Sequence, residues 1–333
     1  MKIESILIII ILLLSSCQLN PNPNSNSNPN PNEKQNSTSQ VENIKEAIKP
    51  KISFTFDDGI TKDILSYKFE DWNSMILNTL EKENLKSVFF VTGSNKIDQK
   101  GAYLLESWSN HGHLIANHTF THPYFNSEKL TVKDFEEELL KTDKVISKYD
   151  TYTKLFRFPY LKEGNTQEKI DGFREILEKH DYKNGHVTID ASDWYVNNEL
   201  IKCIKKEGKE SPKIEKYKAF YLQHMLERAK YYENLSFEMI ERRITHTLLL
   251  HHNLTSALFL GDLIKRFEEE GWEVIDADIA FQDKIFEEIP KTNPAGESLI
   301  WALAKESGNY EDHLRYPAED SRYEIPKMKA IGL

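Results

Sequence analysis

Cysteine is scarce in this chain. Cys17 and Cys203 are the two thiols in 333 residues, too few for a disulfide framework to hold the fold together. Positive charge is also short. The 43 Lys and Arg against 53 Asp and Glu leave a net −10 at pH 7. No sustained basic stretch interrupts that balance, which argues against a nucleic-acid binder. No apolar run reaches the length of a membrane span either. The run Ile6–Leu14 would cover only about 14 Å as a helix, roughly half a bilayer. What is present is 39% hydrophobic residues, enough for a core in a chain of this length. Length alone gives a prior of about two domains, fewer if the ends are not globular.

The front end is not globular. Lys2, the apolar run and then Ser15-Ser16-Cys17 have the layout of a secretory signal. Leu14-Ser15-Ser16-Cys17 resembles the lipobox of bacterial lipoproteins, in which the cysteine becomes the lipidated first residue. Residues 20–32 alternate asparagine with proline or serine and offer nothing apolar to bury, so they read as a tether. The expected organisation is a signal peptide at 1–16, a tether at 17–48, a globular domain at 49–282 and an extension at 283–333. The protein would be monomeric and held by a lipid at the outer membrane or the outer face of the cytoplasmic membrane.

From Lys51 onward, strand-like and helix-like segments alternate. Lys51–Phe56, Ser87–Thr92, His113–Ala116, Lys154–Phe156, His186–Ile189, Thr247–Leu250 and Trp272–Ile275 read as strands. Between them, Phe69–Glu83 carries apolar residues at helical spacing, and Thr131–Tyr149 opens with a capping box of Thr131 and Asp134. Two further helices are expected at Ile214–Arg228 and Phe237–Arg243. Alternation of this kind predicts an α/β domain with a parallel sheet or barrel, its chemistry at the C-terminal strand ends.

Polar groups of chemical interest stand at those ends. The first strand finishes in Asp57-Asp58-Gly59, two carboxylates that repel unless a cation intervenes. After the third come His118 and His122, four residues apart, so one helical turn would put both imidazoles on one side. With one oxygen ligand they would make a three-ligand metal site. Arg157-Phe158-Pro159-Tyr160 follows the fourth strand, and its arginine suits a bidentate grip on a carboxylate. Asp190-Ala191-Ser192-Asp193-Trp194 follows the next, and an apolar strand delivers His251-His252. Adjacent strand residues face opposite ways, so only one of these two histidines can face a metal.

Taken together and in order, Asp-Asp-Gly, His-Thr-x-x-His, Arg-x-Pro-Tyr, Asp-x-x-Asp-Trp and Leu-Leu-His resemble the polysaccharide deacetylase family, the NodB-homology domain of carbohydrate esterase family four. The resemblance spans roughly residues 50–280. It implies a distorted (β/α) barrel of about seven parallel strands. It further implies that Asp58, His118 and His122 bind a divalent metal, most naturally Zn2+, with Co2+ or Ni2+ as alternatives. Asp57 would be the general base, oriented by Arg157. His251 would be the general acid, tuned by Asp193 (adjacency to Trp194 favouring it over Asp190) and walled by Trp194. The backbone N–H of Tyr160 would help hold the oxyanion. Ile60 and Leu161 depart from the family's usual proline and glycine, altering loops but no catalytic group. The implied activity is removal of N-acetyl groups from an amino-sugar polymer such as peptidoglycan or poly-N-acetylglucosamine. An O-acetyl esterase, a small-molecule amidase and a glycan-binding surface lipoprotein are the competing readings. Trp301, Tyr310, Tyr316 and Tyr323 in the extension are expected to pack on the barrel, although aromatic faces also suit pyranose rings.

Overall fold

The computed structural model describes residues 48–314 and 321–333. Cys17 with its signal sequence, the 20–32 tether and Tyr316 lie outside them. Among the described residues no helix is long and apolar enough to cross a membrane.

Among the described residues nine strands form: β1 Lys51–Asp58, β2 Val88–Val91, β3 Leu114–Asn117, β4 Tyr152–Phe156, β5 Lys162–Gly164, β6 Lys183–Asn184, β7 Thr245–His251, β8 Glu273–Val274 and β9 Ala295–Gly296. Seven of them make one parallel sheet in the order β6-β4-β3-β2-β1-β7, with β8 also on β1. Lys51–Asp57 ladders with β7, so β2 (on Thr55–Asp58) and β8 (on Lys51–Ile52) must share the other edge of β1. The result is the α/β distorted barrel that the alternation and the family resemblance implied, curled but open between β6 and β7.

Its two faces follow from the period of two along each strand. Ile52, Phe54 and Phe56 of β1 join Phe89, Val91, Leu248 and Leu250 in the main core under the helices. The alternate residues Ser53, Thr55 and Asp57 are buried and polar. In β2, Val88 and Phe90 belong to a separate cluster with Ala116.

Helices close the outer layer: α1 Phe69–Lys82, α2 Gln99–Asn110, α3 Val132–Ile146, α4 Gln167–Lys179, α5 Asp193–Glu207, α6 Lys213–Ile240, α7 Leu254–Glu269, α8 Ala277–Ala280, α9 Leu299–Ser307 and α10 Glu324–Ala330. In α1, Phe69, Trp72, Asn73, Ile76 and Leu80 are buried at helical spacing. The capping box at α3 forms, with Thr131 Oγ1 accepting from Asp134 N and the Asp134 carboxylate accepting from Thr131 N. A second aromatic core under α3 and α4 gathers Phe125, Phe135, Phe156, Phe158 and Phe173.

Two elements differ from expectation. His186–Ile189 is not a strand: it makes an isolated bridge from Ile189 to Leu248, and β6 forms earlier at Lys183–Asn184. Backbone and hydroxyl groups there are spent otherwise. The Gly185 carbonyl accepts from Arg157 Nε at 2.9 Å, and Thr188 and Thr247 exchange hydroxyl contacts. A side chain at Gly185 would also sit 2.4 Å from the Phe90 ring. The two helices expected between 214 and 243 are one, the 28-residue α6. No glycine or proline interrupts it, and Ala229, Tyr232 and Leu235 in the expected gap bury into the core.

Beyond residue 282, β9 pairs antiparallel with β5. Leu299, Ile300, Ala304 and Met328 enter the main core, and Trp301 and Tyr310 pack against it.

Candidate active site

The barrel mouth collects the C-terminal ends of β1, β3, β4 and β7. Register alone sets Asp57 beside His251 across the β1–β7 ladder. Asp57 points inward with Ser53 and Thr55, and its carboxylate is buried against Arg157 Nη1 at 2.7 Å. That contact is single. Nη1 also donates to Thr55 Oγ1 at 2.8 Å, Nε is occupied by the Gly185 carbonyl, and the guanidinium carbon lies 3.8 Å over the Phe90 ring. The bidentate grip suggested by the residue types is therefore replaced by a fork shared among three acceptors. Burial pushes the Asp57 carboxyl above its ordinary value, with Arg157 and His251 pulling the other way.

The chain turns sharply after Asp57. Asp58 (φ 77°) and Gly59 (φ 73°) both occupy the left-handed region, a conformation that costs a non-glycine residue of order 1 kcal/mol or more. Lys96 braces this turn from beneath. Its buried Nζ donates to the carbonyls of Asp58 (3.1 Å) and Thr92 (3.2 Å) and to Asn95 Oδ1 (2.6 Å). Burial lowers its pKa to about 7.

His118 and His122 do converge, with ring centroids 4.9 Å apart, but no helical turn does it. Residues 118–122 are a loop with positive φ at Thr119 and His122. Asn117 Oδ1 accepts from Thr119 N, Thr119 Oγ1 accepts from His122 N, and Glu138 of α3 accepts from Phe120 N and the Thr121 hydroxyl. The spacing of four was thus meaningful for a reason other than helical geometry.

One ligand atom each from Asp58, His118 and His122 lies within 4.8 Å of the others. The donor set fits a divalent cation on three counts. His118 Nδ1 is tied to the Arg157 carbonyl at 2.8 Å, which fixes the tautomer and leaves Nε2 with a lone pair. Nε2 of His118 faces Asp57 Oδ2 at 3.6 Å and Nε2 of His122 faces Asp58 Oδ1 at 3.7 Å, separations too long for hydrogen bonds. Burial holds both imidazoles neutral, each near pKa 4, the form that binds metal.

On β7 the alternation separates the two histidines. His252 faces the outer core, between Ile60 N (3.0 Å) and Asn73 Oδ1 (3.0 Å) and against Trp72. His251 faces the mouth. Its Nδ1 meets Asp193 Oδ1 at 2.6 Å, and its backbone N donates to Asp193 Oδ2 at 2.8 Å. Burial opposes charge on His251, but Asp193, with Asp58 and Asp57 beyond, outweighs it and pushes the pKa up to about 10. Asp193, not Asp190, makes this contact. Asp190 nonetheless lines the same cavity, together with Trp194, Tyr160 and Leu161. The cavity measures about 380 Å³, toward the small end for ligand sites. Tyr160 and Leu161 lie in consecutive left-handed conformations (φ 57° and 53°). Glu138 and Lys96 carried no sequence signal of their own in a chain that is 29% charged.

A curled parallel sheet with carboxylates and imidazoles converging at its C-terminal mouth is an enzyme-like architecture of the α/β class. Residues 44–185 match the family model described as polysaccharide deacetylase. A peptidoglycan-N-acetylglucosamine deacetylase of Bacillus cereus is 31% identical over 113 residues, 34% of this chain and 37% of that protein. The peptidoglycan-N-acetylglucosamine deacetylase PgdA of Listeria monocytogenes is 28% identical over 154 residues, 46% of this chain and 29% of that one. The peptidoglycan-N-acetylmuramic acid deacetylase PdaA of Bacillus subtilis is 28% identical over 156 residues, 44% and 50% respectively. The chain thus spans half or less of the length of the curated relatives it matches. The family model and these relatives support a polysaccharide deacetylase domain in this chain. The matched stretch ends before Asp193, Trp194 and His251, which the fold brings to the same mouth.

Proposed function

We propose that this protein is a metal-dependent hydrolase that removes N-acetyl groups from an amino-sugar polysaccharide at the cell envelope. The observation that carries the reading is that one cavity is lined by the Asp58–His118–His122 donor set, by Asp57 with its Arg157 partner and by His251 with its Asp193 partner. A base and an acid beside one cation site serve hydrolysis and have no use in a binding module.

In this reading Asp58, His118 and His122 hold the cation, Zn2+ by the chemistry of its ligands, which supplies Lewis-acid polarisation of the acetyl carbonyl. Asp57 takes the proton of the attacking water as its oxygen bonds to the carbonyl carbon, and Arg157 fixes the carboxylate for that step. The C–N bond then breaks, and His251 delivers its proton to the departing amine nitrogen. Asp193 orients His251 and stabilises its charged form. The Tyr160 N–H donates to the oxyanion, and Trp194 walls the cavity. The products are acetate and a free amino sugar.

Three of the relatives are named as peptidoglycan deacetylases, which favours a wall-type glycan as substrate. A wall glycan would be met after export through the 1–16 signal and anchoring at Cys17, with 17–48 as tether, 49–282 as the catalytic domain and 283–333 packed on it.

The test is acetate release by a 49–333 fragment from N-acetylglucosamine oligomers, peptidoglycan and acetylated xylan, with and without zinc. Zinc-dependent release from an amino-sugar polymer, lost in Asp57→Asn, is expected. Release from xylan alone would make the enzyme an O-acetyl esterase. No release from any glycan would refute the reading.

A further inference from the structure

The cavity at the mouth measures about 380 Å³, and an aromatic surface continues past its rim. His122 stacks edge-on with Tyr160 at 4.6 Å, and Tyr160 with Tyr124 at 5.7 Å, 71° apart. Both tyrosines leave 47% and 47% of their surface to water. Tyr160 lines the cavity and Tyr124 does not. Burying apolar rings is the default in a fold with so large an aromatic core, so two that touch each other in the open suggest an interaction surface.

Neither ring is on loose chain. Phe125, next to Tyr124, is fully buried and stacks on Phe135 at 4.1 Å. Lys169 Nζ donates to the Phe125 carbonyl at 2.8 Å. Pro159 and Leu161 on either side of Tyr160 are buried, and left-handed backbone at Tyr160 turns its side chain outward. The two rings are thus held ready before any ligand arrives, which lowers the entropy cost of binding.

Resting on the deacetylase reading above, we propose that Tyr124, with the outer face of Tyr160, forms a second sugar subsite that stacks the pyranose ring adjoining the one being deacetylated. The substrate is accordingly a chain of at least two linked sugars, and Tyr124 is a specificity-determining residue that touches only the neighbour. The C–H face of a pyranose is apolar and matches an aromatic face, whereas its hydroxyls stay in water.

The test compares kcat/KM of the zinc-loaded full chain on an N-acetylglucosamine tetramer with that on a one-acetyl chromogenic ester, which cannot reach Tyr124. Tyr124→Ala should lower the tetramer-to-ester ratio about tenfold, equivalent to about 1.4 kcal/mol. The loss should fall in KM with kcat retained, and Tyr124→Phe should recover it. An unchanged ratio, or an equal loss on both substrates, would overturn the subsite. Should the wild-type protein turn over no glycan, the deacetylase reading fails by itself. The subsite is then judged by calorimetric binding of the tetramer to Asp57→Asn with and without Tyr124→Ala: weaker binding in the double variant upholds it, and equal binding refutes it.

Discussion

At the barrel mouth one carboxylate, Asp193, engages both the ring and the backbone N–H of His251, so its removal acts first on proton affinity. With Asp193 present, His251 keeps its proton as pH rises toward about 10. A bound cation offsets the pull of Asp58, so the alkaline limb of the loaded enzyme falls below that value. In Asp193→Asn the raising influence is lost and burial dominates, so the limb should move at least one unit to lower pH. A pH–rate profile of both proteins checks this, and coincident limbs would remove His251 from the role of acid. Reading single residues from the sequence succeeded where a backbone rule applied. Strand alternation allows only one of His251 and His252 at the mouth, the family resemblance points to His251, and the structure puts that residue at the mouth and His252 against Trp72. It failed where side-chain competition decides. Nothing in Arg-Phe-Pro-Tyr says that Thr55 and the Gly185 carbonyl also claim the guanidinium. Lys96 is one charge among many until the turn at Asp58 is seen to close over it.

At the level of elements, α3 does more than cover the sheet. Its Glu138 is the anchor of the loop that carries His118 and His122. Glu138→Gln keeps the size but weakens the acceptor, and zinc affinity should fall roughly 10–100-fold, as for other residues that orient metal ligands. A competition titration with a chromophoric chelator measures it, with unaltered affinity as the contrary result. The N-cap of the same helix gives a stability control. Thr131→Ala should cost about 1 kcal/mol in urea unfolding and leave zinc affinity alone. Long periodic elements were legible: α1, α3 and the strands through β4 lie within a few residues of their expected bounds. The segment at 186–189 misled because threonine and valine fit a strand, while here Thr188 N and Ile189 N both donate to the Thr247 carbonyl and the Val187 carbonyl accepts from Leu299 N. The loop at 118–122 misled in the opposite sense, because i,i+4 spacing mimics a helix when two left-handed residues curl the chain.

Over the whole molecule, the extension beyond residue 282 completes the core. Leu299, Ile300 and Met328 are buried, and losing a large core side chain costs about 2–5 kcal/mol each. Deleting 283–333 should therefore abolish the cooperative thermal transition seen by circular dichroism, and a fragment ending at 282 with a normal transition would contradict this. Two-residue strands such as β6, β8 and β9 leave no periodicity to read, so the β6 edge of the sheet and the separate β5–β9 pairing were not foreseeable. Metal should report on the same whole. Zinc at a hundred times its Kd should add about 2.7 kcal/mol to unfolding, a rise of several degrees in Tm that a chelator reverses. An unmoved Tm would count against the cation site.

β1 also has a mechanical meaning. The chain enters it at Lys51, at the floor of the barrel, and the carboxylates stand at its far end, Asp57 and Asp58. Tension applied to the chain ahead of Lys51 runs along the strand axis. It loads the ladders to β7, β2 and β8 in shear, many hydrogen bonds resisting at once instead of parting one by one as in peeling. A protein tugged from that end would keep its two aspartates in register with His251 and Val91 until the central strand itself slid. The strand that ends in the two aspartates is thus also one held by three neighbours against pull.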